Sequence, residues 1–152
     1  IVRYYPKIVG RNIDPLTTLV RAEQAFEYGH DATAAGQYEK FFATVKNRKD
    51  ISLDQFHFRY ALASLNSRAY KTAATTADQL LRSKNLDPQI KRAATKLAYV
   101  ARLSRKANPT ASSREALRKS AERLIRDYPD DRDVDGARLT VAQTTTNSKK
   151  FQ

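Results

Sequence analysis

The chain has 152 residues with 28 Lys and Arg against 16 Asp and Glu, a formal net charge of +12, and its pI is near 10.1. With 41% hydrophobic residues, 4 Gly and 5 Pro, it is too apolar for a disordered chain and too poor in turn residues for a many-stranded β fold. The lack of cysteine excludes a disulfide framework, a thiolate zinc site and a Cys nucleophile. A mean hydropathy of -0.66 without a long apolar run excludes a membrane-spanning helix.

This length suits one domain over residues 1–152 with a core of its own. Ile1-Val2-Arg3-Tyr4-Tyr5 lacks the pattern of a signal peptide. The chain also contains no Met, so it reads as a processed protein or an excised piece.

Asp14-Pro15 predicts a helix start, Asp as N-cap and Pro at the first helical position, where its missing N–H costs nothing. Leu16, Leu19, Val20, Ala22, Ala25 and Phe26 follow at helical spacing. Gly29 is expected to lie within that helix, and Gly36 to mark the turn into a second helix carrying Tyr38, Phe41, Phe42 and Val45. After the polar Asn47-Arg48-Lys49-Asp50, Ser52 reads as the cap of a third helix through Phe56, Tyr60, Ala61 and Leu65. A fourth carries Tyr70, Ala73, Ala77, Leu80 and Leu81.

Asp87-Pro88 repeats the cap signature and opens a long helix to about Ala107, ended by Asn108-Pro109. Ser112 or Ser113 is expected to cap the next helix, which carries Leu117, Ala121, Leu124 and Ile125 and stops at Tyr128-Pro129. A last helix begins after Asp130, Asp131, Asp133 and Asp135 and holds Ala137, Leu139, Val141 and Ala142. No segment alternates with period two, so the fold class is all-α, built of antiparallel helical hairpins.

Hairpins start near Pro15, Ser52, Pro88 and Asp133, that is 37, 36 and 45 residues apart. Such periods point to a solenoid in which each hairpin buries its apolar face on its neighbours. Ile1-Val2-Arg3-Tyr4-Tyr5-Pro6 matches Leu124-Ile125-Arg126-Asp127-Tyr128-Pro129, and Asn147 to Gln152 looks like a turn and the opening of a second helix. These ends are read as partial repeats over 1–6 and 133–152, flanking units of about 15–50, 52–86 and 88–129 in a longer array.

Large-small pairs stand at Tyr28-Gly29, Tyr60-Ala61, Leu97-Ala98 and Val141-Ala142, and helix-opening aromatics at Tyr38, Tyr70 and Phe151. Ala73 and Ala77 supply small positions, and Pro88 and Pro129 close units. In these features the chain resembles degenerate tetratricopeptide repeats, departing from them in Phe41, where a small residue is usual, and in its lack of Trp. The resemblance implies a right-handed solenoid and a non-catalytic scaffold that holds a partner segment in a concave groove lined by the first helices. The closer Leu124 to Asp130 resembles those of bacterial envelope-associated members, which implies a periplasmic or cell-envelope location.

On that geometry the groove candidates are Phe26, Glu27 and His30, then Phe58, Arg59, Leu62 and Asn66, then Arg92, Lys96, Tyr99 and Arg102. On the long helix Ile90, Ala94, Leu97 and Ala101 share one side, while Lys91, Arg92, Lys96, Arg102, Arg105 and Lys106 share the other. Residues 51–110 hold eleven basic against three acidic residues, which accounts for eight of the twelve excess charges. Two interpretations of the basic strip stay open, a solvated face or a docking strip for an acidic peptide with Tyr99 among the cations. Nucleic acid or another polyanion bound through helix 88–107 is the alternative partner, although only Tyr99 interleaves with the cations.

Asp131-Arg132-Asp133-Val134-Asp135-Gly136 matches the start of a calcium loop, but Ala142 stands where the bidentate Glu is required. Acids favoured by a helix N-terminus explain the run better. His30 and His57 have no Cys or evident carboxylate partner, and no nucleophile elbow is present, so neither enzymatic activity nor a cofactor is expected.

Overall fold

A computed structural model describes residues 14–45, 52–105 and 109–150, with side chains as far as residue 145. Seven helices make up these residues: α1 (Pro15–Glu27), α2 (Asp31–Thr44), α3 (Asp54–Asn66), α4 (Tyr70–Leu81), α5 (Pro88–Ser104), α6 (Ala111–Asp127) and α7 (Val134–Lys150). No strand occurs among the described residues. Each helix packs on the next in sequence, and α3 also touches α5.

The core consists of three clusters, each made by three consecutive helices. Ala22, Ala25, Ala34, Tyr38 and Ala63 join α1, α2 and α3. Ala61, Ala73, Ala77, Leu97 and Ala101 join α3, α4 and α5. Tyr99, Ala121, Leu124 and Ala137 join α5, α6 and α7. Helix α3 therefore serves two cores: Phe56, Tyr60 and Ala63, at i, i+4 and i+7, face the first, and Phe58, Ala61, Leu62 and Leu65 face the second. Of the twenty buried hydrophobic residues among those described, thirteen are alanines, so adjacent helix backbones approach closely.

The caps at Asp14 and Asp87 form as expected, Asp14 accepting from the Leu16 amide at 3.3 Å and Asp87 from those of Gln89 at 2.9 Å and Ile90 at 3.3 Å. Elsewhere several expected boundaries move. The N-cap of α6 is Thr110 rather than Ser112 or Ser113; its hydroxyl accepts from the Ser113 amide, and the Ser113 hydroxyl accepts from the Thr110 amide in return. This reciprocal box satisfies two orphan donors at once, which a cap one turn later would leave open. Leu53, not Ser52, precedes α3, with no side-chain cap bond. Helix α5 ends at Ser104, with Arg105 extended, earlier than the expected Ala107, which lies outside the described residues. Pro109 lacks the N–H that the Arg105 carbonyl would need four residues on.

The two glycines exchange roles. Gly29, with φ of 73°, terminates α1, while Gly36 lies inside α2. The His30 amide donates to the Ala25 carbonyl at 2.8 Å and the Gly29 amide to that of Phe26 at 3.1 Å, closing the helix with a left-handed residue. The next hairpin repeats this turn, with Arg68 at φ 66° and the Ala69 amide donating to Ser64 at 2.8 Å. Gly29 is thus the counterpart of Arg68, so Tyr28-Gly29 is a turn rather than a large-small pair on a first helix. Tyr70 opens α4, but Tyr38 sits in the middle of α2. The turn expected after Asn147 is absent, because α7 runs on to Lys150. Thr144 and Thr145 bond back to the carbonyls of Thr140 and Val141, a pattern a helix accommodates. The matched segment 1–6 and Phe151 lie outside the described residues.

A Cβ at either Gly29 or Gly36 would meet no atom within 4 Å, so only backbone preference decides the outcome. Gly29→Ala is expected to destabilise the protein by about 1 kcal/mol, and Gly36→Ala to stabilise it by about 0.5–1 kcal/mol. Thermal or urea unfolding of the two variants reads the opposite signs directly.

Candidate partner-binding site

The expected site residues fall into three separate places. On α1 and α3, Arg59 forms an ion pair with Glu23, and Glu23 also accepts a hydrogen bond from the buried Tyr38 hydroxyl. The Arg59 guanidinium lies 5.8 Å from the centre of the Phe26 ring, within cation–π range. One carboxylate therefore ties three helices together, and burial next to that carboxylate pushes the Tyr38 phenol far above its ordinary range. Phe58 and Leu62 are half-buried on the edge of the second core. Asn66 reaches Asp31 at 3.3 Å, next to the exposed His30.

Behind that face the Phe42 ring stacks on His57 with 3.8 Å between centroids and on Tyr60 with 5.9 Å. His57 Nδ1 lies 3.2 Å from the Leu53 carbonyl and must carry the proton, since a carbonyl only accepts. Burial lowers the His57 pKa below 6.5, against smaller raising effects from that hydrogen bond and from Asp54.

On α5 the cations are largely answered by acids. Asp131 Oδ2 accepts from Arg92 Nη2 at 3.0 Å and Nε at 3.3 Å, while its Oδ1 lies 3.2 Å from Lys96 Nζ and accepts from the Asp133 amide at 3.0 Å. Lys96 also pairs with Asp133 at 3.1 Å, and Arg92 lies 5.3 Å from the centre of the Tyr128 ring. The Asp133 amide, followed by Arg92 and Lys96, holds the buried Asp131 carboxyl at a pKa of about 2 despite the opposing effect of burial. Asp131 and Asp133 thus spend their oxygens on α5, and Asp135 is exposed beside Arg138, so the calcium-like run does not converge on one point. Among the described residues no group of three or more His, Cys, Asp or Glu could hold a metal ion.

Tyr99 corrects the expectation of an aromatic at the surface: it is 3% exposed, with its hydroxyl 3.0 Å from Thr140 Oγ1. At about 100° per residue it sits only about 20° from Arg92 around the helix, but α7 covers it. Arg102 lies about 120° from Lys96 by the same arithmetic and faces another surface. It pairs with Asp78 on α4 through both terminal nitrogens and donates to Ser120 on α6 at 2.7 Å. The strip read as one basic face is therefore two, and Lys106 lies outside the described residues.

Arg102 sits at the base of an open cleft of about 400 Å³ between α4 and α6, with α5 as its floor. Leu81, Ala98 and Ala116 form its apolar part, and Arg82, Lys119 and Arg123 stand on its walls. Sequence reasoning missed this cleft, and it also missed the acids that hold the expected cations. One signal for the acids exists in the chain. Glu23 and Arg59 are 36 residues apart, Asp31 and Asn66 are 35, and Arg92 and Asp131 are 39, each about one hairpin period.

No known family profile matches the chain, and no curated protein matches it.

Two acid transitions follow from these groups. A depressed His pKa means that the unfolded chain binds the proton more readily, so the His57 contribution is complete above pH 6.5 and shrinks as pH falls below it. His57→Phe is expected to flatten the stability profile between pH 7 and 5. The Asp131 contribution is complete above its ordinary value of 3.8 and is lost as pH falls toward 2. Asp131→Asn should cost about 2 kcal/mol at pH 7, tempered by the half-exposed Arg92, and the difference from wild type should shrink steadily as pH falls from about 4 through about 2. Denaturant midpoints measured across pH check both.

Proposed function

We propose that the chain is a non-catalytic interaction scaffold, a right-handed tetratricopeptide-like solenoid that holds an acidic protein segment along the face of its first helices. The observation that carries this is the sharing of α3 and α5 between successive cores, with α3 touching α5 directly. That nearest-neighbour construction, together with the recurring left-handed turn at Gly29 and Arg68, supports repeat stacking. A stacked array leaves one side of α1, α3 and α5 without a covering helix. Phe26, Phe58, Leu62 and Val100 are half-buried on these helices, which also carry Arg59, Arg92 and Lys96.

Half-buried apolar groups with fixed cations at their margin suit a segment that carries an apolar anchor among acidic residues. Because Arg92 and Lys96 are already paired, the partner's carboxylates would gain by sharing these cations with Asp131 and Asp133 rather than by meeting bare charge. The same pairing weakens the nucleic-acid alternative, since Arg92, Lys96 and Arg102 are spent on acids of the chain itself. No helix among the described residues is long and apolar enough to cross a membrane.

A library of twelve-residue acidic peptides with one aromatic residue provides the test. The tightest binder is expected to lose at least tenfold in affinity on Leu62→Glu, which places a negative charge in the face, and to be unaffected by Lys40→Glu on the exposed side of α2. Equal losses in both variants would mean that net charge alone attracts the peptide. No loss in either, or tighter binding of a single-stranded RNA that survives moderate salt, would overturn the proposal.

A further inference from the structure

The cleft between α4 and α6 lies on a different side of α5 from the proposed partner face and owes nothing to it. We propose that this cleft binds a phosphomonoester, its phosphate held between the two walls and its organic part resting on the floor.

Charge and geometry carry the assignment. The cleft is lined by four cations and one carboxylate. Asp78 is engaged by Arg102, and Arg102 also donates to Ser120, so a single guanidinium braces α4, α5 and α6 across the base. This brace neutralises Arg102 and fixes the walls before any ligand arrives, which reduces the ordering cost of binding. Three further cations line the cleft, each held more loosely than Arg102. The Arg82 side chain, at the end of α4, has no partner among the described residues. Lys119 and Arg123, one turn apart on α6, are held only by long ion pairs within their own helix, to Glu115 and Asp127, each at 3.9 Å. Ser120 Oγ accepts from Arg102 and keeps its own O–H to donate.

Three cations on opposing walls call for an anion with more than one charge and with oxygens pointing in several directions. A phosphomonoester dianion has three terminal oxygens and suits the planar fork of Arg, whereas a carboxylate offers one charge and two coplanar oxygens. The volume of about 400 Å³ falls in the range of small-molecule sites and exceeds what a bare phosphate needs. Leu81, Ala98 and Ala116 supply apolar contact for the remainder of the ligand.

Phenyl phosphate, inorganic phosphate and benzoate, titrated into the full chain at low salt and followed by amide chemical shifts, test this. Phenyl phosphate is expected to saturate with shifts on α4, α5 and α6, inorganic phosphate to bind more weakly, and benzoate to bind at least tenfold more weakly than phenyl phosphate. Arg82→Ser with Arg123→Ser should weaken phenyl phosphate at least tenfold. Lys40→Ser with Lys71→Ser, which removes the same charge from exposed positions outside the cleft, should leave its Kd unchanged. Equal loss in both double variants, equal affinity for benzoate or for inorganic phosphate, or no saturable binding would each overturn the proposal. So would a short RNA, which offers only diesters, displacing phenyl phosphate at lower concentration.

Discussion

A helix with apolar residues on two faces cannot be satisfied by one neighbour, and this constraint organises the described residues. Helix α3 turns Phe56, Tyr60 and Ala63 toward one core and Ala61 and Leu65 toward another, two faces that a hairpin partner alone cannot cover. Helix α5 does the same, with Leu97 and Ala101 on one side and Tyr99 on the other. Each core is consequently a three-helix unit, and adjacent units share a helix. Alanine at the points of closest approach makes this sharing compatible with dense packing.

Polar contacts follow from the same geometry. A residue on α1 meets one about a hairpin period away on α3, as Glu23 meets Arg59. Asp131 works from the loop after α6, where it holds that loop and the start of α7 against α5. These pairs are partly shielded from water, so they orient the helices more firmly than isolated surface ion pairs would. They also redistribute the positive charge. Around the cleft, Arg82, Lys119 and Arg123 are held less tightly than Arg92 and Lys96 on α5.

Binding on either surface would then act on a frame already set by internal contacts. Phe26, Phe58 and Leu62 are held from behind by the cores on which they pack. The cleft is braced by Arg102, which ties α4, α5 and α6 together across its base. Acidification would loosen this frame in stages, first around the His57 stack and then at the Asp131 anchor.

The all-α class and the starts of α1 and α5 were legible in the chain itself, because Asp-Pro caps and helical periodicity are local properties. The turn at Gly29 was misplaced because two glycines seven residues apart look alike in sequence, and only the packing of Ala25 and Ala34 into one core determines which takes the left-handed conformation. The Thr110 cap was hidden among neighbouring hydroxyl residues of equal propensity. Which cations are free could not be read at all. Arg92, Lys96 and Arg102 look equivalent along one helix, but their partners Asp131, Asp133 and Asp78 belong to other segments, and charge pairing is decided by distance in space. The chain alone therefore determined the all-α class and the starts of α1 and α5, whereas tertiary packing decided the other boundaries and which charges are spent holding the helices together, because those choices depend on distances in space.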